Sequence, residues 1–96
     1  MQTVEIKRLL EAAREAFKDC VSLSENRLQA RDELGFPPEA IIIEKDFIKI
    51  QFHGPDDERL IEVRLKLQAP DGKDVGYYAY QEDESGEFVD EFFVLY

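Results

Sequence analysis

The first third of the chain carries a helical pattern. Ile6, Leu9, Leu10, Ala13, Ala16, Phe17, Cys20 and Val21 recur at spacings of three and four behind Thr3, a good N-cap residue. At 100° per residue these side chains fall on one arc of roughly 140°. The opposite side carries Lys7, Arg8, Glu11, Arg14, Glu15 and Lys18. Of the charge pairs on that side, Glu15–Lys18 has the favourable orientation, and the mixture as a whole adds little to helix stability. After Leu23 the stripe breaks, because Ser24, Arg27 and Arg31 would enter the buried arc of a straight helix. The pattern predicts a kink or a restart at Ser24, itself a good N-cap, with helix ending at Leu34. Gly35 suits the residue just past a helix end, and Pro37-Pro38 forbids continuation.

From residue 40 onward the period changes to two. Ile41, Ile42 and Ile43 are β-branched, and Ile48, Ile50 and Phe52 alternate with Lys49, Gln51 and His53. Between them, Glu44-Lys45-Asp46 reads either as a tight turn or as a bulge in one long strand. Leu60–Gln68 alternates most cleanly, with Ile61, Val63, Leu65 and Leu67 against Glu62, Arg64, Lys66 and Gln68. Turn chemistry at His53-Gly54-Pro55-Asp56-Asp57, Pro70-Asp71-Gly72 and Glu84-Ser85-Gly86 separates successive strands. Such short connections imply an antiparallel meander. The expected architecture is a single α+β domain over 1–96, helical over 3–34 and stranded over 40–96. Its N-terminal helix, or bent helix pair, packs on one face of four to five antiparallel strands. The uncovered face is expected to be wet, showing Lys49, Gln51, His53, Glu62, Arg64, Lys66 and Gln68.

Charge adds a second layer. Twenty-two acidic and twelve basic residues give a net charge of −10, which argues against the phosphate backbone of nucleic acid as a partner. The imbalance is uneven: residues 69–96 hold eight acids and only one base, Lys73. One cysteine rules out an intramolecular disulfide, the apolar runs are too short for a membrane span, and the N-terminus does not read as a signal peptide. These features lead to the expectation of a cytoplasmic protein without membrane attachment.

Candidate chemistry is sparse. Cys20 falls on the apolar helix stripe and His53, the one histidine, at a strand end, so a Cys–His dyad is a weaker reading than a core cysteine. Asp56-Asp57-Glu58 and Glu82-Asp83-Glu84 cluster carboxylates, but the order required of a calcium loop fails when Gly86 is set at its glycine position. No glycine-rich phosphate loop, G-x-S-x-G elbow or Walker lysine motif occurs. No cofactor, metal site or catalytic residue is assigned.

The last strand is apolar on both parities, Phe88, Phe92, Val94 and Tyr96 on one and Val89, Phe93 and Leu95 on the other. This fits a central strand covered on both sides, a helix wrapping an edge, or an interface. Aromatic anchors beside carboxylates suit a protein-binding patch, in which rings supply buried area and acids steer a basic partner. The candidate binding residues are Tyr78 and Tyr80 as apolar anchors, Glu82, Asp83, Glu84, Asp90 and Glu91 for steering, and Phe93. In size, acidity and lack of catalytic groups, the chain is similar in type to small immunity proteins and other proteinaceous inhibitors. That similarity is compositional and transfers no residue. The functional expectation is a non-enzymatic module that binds a basic protein surface through 77–96, with an inhibitor or immunity-type role as its most concrete version. The alternatives are a homo-oligomer, such as a homodimer, built on Phe93 and Leu95, and a small hydrolytic or metal-dependent enzyme using His53 with nearby acids.

Overall fold

The computed structural model describes residues 3–23, 31–55 and 58–96. The restart expected at Ser24 and the acids Asp56 and Asp57 lie outside the described residues, as do the side chains of Thr3 and His53. Helix α1 spans Thr3–Ser22. All eight stripe positions are buried or half-buried, whereas Lys7, Arg8, Glu11, Arg14, Glu15 and Lys18 face solvent. Residues 31–34 are helical, and Gly35 (φ 76°) closes this segment by donating its N–H to the Arg31 carbonyl at 3.0 Å. A positive φ there is why glycine follows the helix end. A single 3-10 turn, Pro38–Ala40, then leads into the sheet.

Four strands follow: β1 Ile42–His53, β2 Glu58–Gln68, β3 Asp74–Asp83 and β4 Phe88–Leu95. They pair antiparallel in the order β1-β2-β3-β4, with β1 and β4 at the edges. The α+β architecture and the meander are as the sequence pattern implies. The choice left open at Glu44-Lys45-Asp46 resolves as a bulge: β1 is continuous, and its register to β2 shifts between Lys45 and Phe47. The physical reason is parity. Ile43 sits opposite Leu67, but Ile48 sits opposite Val63. One extra residue therefore lets the odd-numbered Ile43 and the even-numbered Ile48 reach the same face of the sheet.

Helix α1 lies across β2 and β3, and the core forms between them. Leu9, Ala13, Phe17, Cys20 and Val21 meet Ile61, Val63, Leu65, Leu67, Tyr78 and Tyr80. Phe17 is at the centre, edge-on to Tyr78 (5.3 Å between ring centroids) and to Phe93 (5.6 Å). Such T-shaped pairs match the positive edge of one ring to the negative face of another. Gly76 of β3 packs against β4 so closely that a Cβ would run into the Val94 carbonyl oxygen.

The face opposite α1 departs from the wet surface expected of it. Glu62 is only 5% exposed and Ala79 is fully buried there. Lys49, Gln51, Lys66 and Gln68 lie on this face by register, with Lys49, Gln51 and Lys66 exposed as expected and Gln68 half-buried.

Candidate functional site

Strands β3 and β4 carry seven of the eight residues expected to bind a partner, and the turn at Glu84-Ser85-Gly86 that joins them carries the eighth, Glu84. The strand pairing sorts them by face. Tyr78, Tyr80 and Glu82 share a face with Phe93, Glu91 and Phe88, and this is the face beneath α1. Tyr78 is fully buried and Tyr80 nearly so, which makes both tyrosines core residues and corrects their reading as exposed anchors. Phe93 is half-buried against Phe17.

Glu82 is 1% exposed and is occupied inside the fold. Its Oε1 accepts a hydrogen bond from Arg8 Nη2 of α1 at 2.6 Å, and its Oε2 accepts one from the Tyr80 hydroxyl at 2.8 Å. Burial first, and the Glu82 carboxylate second, push the Tyr80 hydroxyl up to about 12. Tyr78 is also shifted upward, by burial and by Glu91, whose Oε2 lies 3.4 Å from its hydroxyl.

Asp83 shapes the turn. Its Oδ1 accepts from the Ser85 hydroxyl (2.7 Å), the Ser85 N–H (2.9 Å) and the Glu87 N–H (3.0 Å). The Ser85 hydroxyl, followed by the Glu87 N–H, holds the Asp83 carboxyl below the usual carboxylate range. Glu84 is exposed, 3.8 Å from Arg59 Nε of β2. Asp90 is exposed on the opposite face, and its Oδ1 accepts the Glu91 N–H at 2.8 Å.

The exposed apolar groups of the hairpin are other residues. Phe88, Val89 and Phe92 are 54%, 48% and 44% exposed, and the terminal Tyr96 is more exposed still. A register shift between Gln81 and Glu82 places a bulge at Val89, which turns Phe88 toward Tyr80 (6.0 Å between ring centroids). β4 is an edge strand, so the central-strand explanation of its apolar character does not hold. Its two-sided pattern was the signal for these residues, but only pairing reveals which of them stay outside.

A second constellation, unforeseen in the sequence, occupies the face opposite α1. The Arg64 guanidinium sits 4.2 Å from the Tyr77 ring centroid and 5.0 Å from that of Phe47. Glu62 accepts from Gln81 Nε2 at 2.8 Å and lies near Lys49 Nζ (3.7 Å) and Arg64 Nη2 (3.4 Å). Arg64 Nε is buried and has no hydrogen-bond partner among the described residues. The two rings compensate in part, through attraction between the guanidinium and their negative faces. Every member of this cluster is engaged with another, so its chemistry is that of a tie between β1, β2 and β3.

Among the described residues, no group of three or more His, Cys, Asp or Glu side chains is placed to hold a metal ion. No described helix is long and apolar enough to cross a membrane. A cleft of about 690 Å³ opens between residues 33–36, the β2–β3 turn and the end of β4. Its described lining includes Phe36, Lys73, Asp74 and Tyr96 but no Ser, Cys or His. Comparison with protein-family models, with curated proteins and with solved structures finds no match for this chain.

Proposed function

We propose that this chain is a small, acidic, non-enzymatic protein-binding module acting on a basic protein surface, with an inhibitor or immunity-type role as its most concrete form. The observation that supports it is edge strand β4 with the turn before it, which leaves apolar side chains exposed on both sides of the sheet, Phe88 on the α1 side and Phe92 on the other. Exposed Phe88, Val89 and Phe92 stand among exposed Glu84, Glu87 and Asp90. Apolar groups that escape the core supply the buried area of an interface, and surrounding carboxylates accelerate encounter with a positive surface. The anchoring role thus passes from Tyr78 and Tyr80 to Phe88 and Phe92, while Glu84 and Asp90 keep the steering role. Asp83 supports it by shaping the turn. A cytoplasmic setting belongs to the same proposal.

Homo-oligomerisation through β4 is the competing reading, since β4 lies at the sheet edge. Two copies docked there would bring together two hairpins of like charge, a repulsion that a basic partner reverses.

The test is capture from the native cell with the wild-type chain and with a Glu84→Lys/Glu87→Lys/Asp90→Lys variant. A basic protein retained at low salt by the wild type, released as salt rises, and lost by the variant supports the proposal. Equal retention by both chains overturns it.

A further inference from the structure

Resting on the protein-binding reading, we infer that the outer edge of β4 accepts an extended, lysine- or arginine-bearing segment of the partner as a fifth strand of the sheet.

The backbone geometry is specific. The Tyr96 N–H donates to the Val75 carbonyl at 2.9 Å, which makes 75/96 a hydrogen-bonded pair of the antiparallel ladder. Because such pairs alternate, Val94, Phe92 and Asp90 also turn their N–H and C=O groups toward β3. Glu91, Phe93 and Leu95 therefore point theirs outward. Glu91 shows this directly: its N–H bonds to the Asp90 side chain and not to β3. Asp90 so closes one end of the edge, leaving, among the described residues, the Glu91 carbonyl and both polar groups of Phe93 and Leu95 without a backbone partner. This row spans roughly 14 Å, room for an extended segment of about five residues.

The two edges of the sheet differ in how they meet such a segment. β1 is interrupted by its bulge, and Lys45 and Lys49 stand on it exposed. A bulge and lysines are what edge strands use to discourage pairing. β4 carries neither a lysine nor a proline between Phe88 and Leu95, and its own bulge lies at the Val89 end, outside the outward row.

Charge selects the occupant. Side chains of an added strand would lie beside Asp90 and Glu91 at one end and beside Phe92 and Val94 further along. Cationic residues at the first positions and apolar ones at the second complement them. A second copy of β4 paired antiparallel over this row would set Glu91 opposite Leu95 and leave the carboxylates of both copies without a counter-charge, which is why a basic segment is the favoured occupant.

The test uses the full chain with a capped heptapeptide whose lysines gather at the end that meets Asp90 and Glu91 in antiparallel pairing, acetyl-Thr-Val-Thr-Val-Lys-Lys-Lys-amide, and the same peptide N-methylated along its backbone. Amide hydrogen exchange at Phe93 and Leu95 is expected to slow about tenfold or more under saturating peptide, and to be unchanged by the N-methylated form. Salt-sensitive binding that shifts the Asp90 and Glu91 resonances but leaves those two exchange rates untouched overturns strand addition while sparing the acidic docking surface. Absence of any binding by this peptide also overturns the inference, and the capture experiment still judges the wider proposal separately. Protection of Phe93 and Leu95 without peptide, in a chain that light scattering shows to be dimeric, assigns the edge to a second copy and likewise overturns it.

Discussion

Arg8 and Glu82 stand 74 residues apart in the chain, yet the Arg8 guanidinium lies 2.6 Å from the Glu82 carboxylate. The pair joins the first turns of α1 to the end of β3 and supplies a counter-charge to a carboxylate that water cannot reach. Arg8 itself is half-exposed, so solvent shares in the pairing. Replacing Arg8 by Met removes the cation and leaves Glu82 buried, a change expected to cost about 1–3 kcal/mol, below the range of a fully buried pair. Urea unfolding of the Arg8→Met chain measures it, and Glu82→Gln in the same background should recover part of the loss. A loss under about 0.5 kcal/mol would assign the pair no structural weight.

The two core tyrosines predict weakening in alkali. Tyr80 ionises near 12 in the folded chain against 10.0 for an unperturbed tyrosine, and Tyr78 is shifted the same way. A raised value means that the unfolded chain loses the proton first. The stabilisation is complete below pH 10 and declines as pH rises through about 12, by about 1.4 kcal/mol per pH unit for each tyrosine. Denaturant midpoints from pH 9 upward, with tyrosinate absorbance followed in parallel, should show this decline. Tyr80→Phe should shallow it.

Gly76 tests the fit of β4 against β3. An alanine there meets the Val94 carbonyl and the Leu95 backbone, neither of which can move without parting the strands. Gly76→Ala is expected to cost about 2–4 kcal/mol and to speed amide exchange along β4 more than along β1. Uniform acceleration across the sheet would contradict a local clash.

Arg64 offers a comparison between charge and shape. Arg64→Ala removes both the stack on Tyr77 and Phe47 and one of the cations beside Glu62, at an expected cost of about 2–3 kcal/mol. Arg64→Lys keeps the charge but forfeits the planar stack, and should fall about midway. Equal stability of the lysine variant and the wild type would show that the rings contribute nothing.

Much of this molecule was legible from one dimension. The α1 stripe, the alternation of β2 and the stop at Gly35 depend on contacts between near neighbours in sequence, and their periods of 3.6 and two survive without knowledge of the fold. The short turns likewise required an antiparallel meander. The candidate site was less legible. Tyr77, Tyr78 and Tyr80 crowd one strand with rings of both parities, so no alternation told which ring would turn inward. Glu82 looked like one of a run of three solvated acids, because nothing local marks it as the partner of Arg8.

Sequence by itself determined which segments coil, which extend, where they reverse, and that negative charge gathers toward the carboxyl end. Tertiary structure alone decided which carboxylates lie inside, that the Lys45/Phe47 bulge brings Ile43 and Ile48 to one face, and that β4 lies at the edge with Phe88 and Phe92 outside. The division has a physical cause. Secondary structure follows from side-chain spacing along the backbone, whereas burial of a polar or aromatic group depends on partners that strand pairing and helix docking bring from distant parts of the chain.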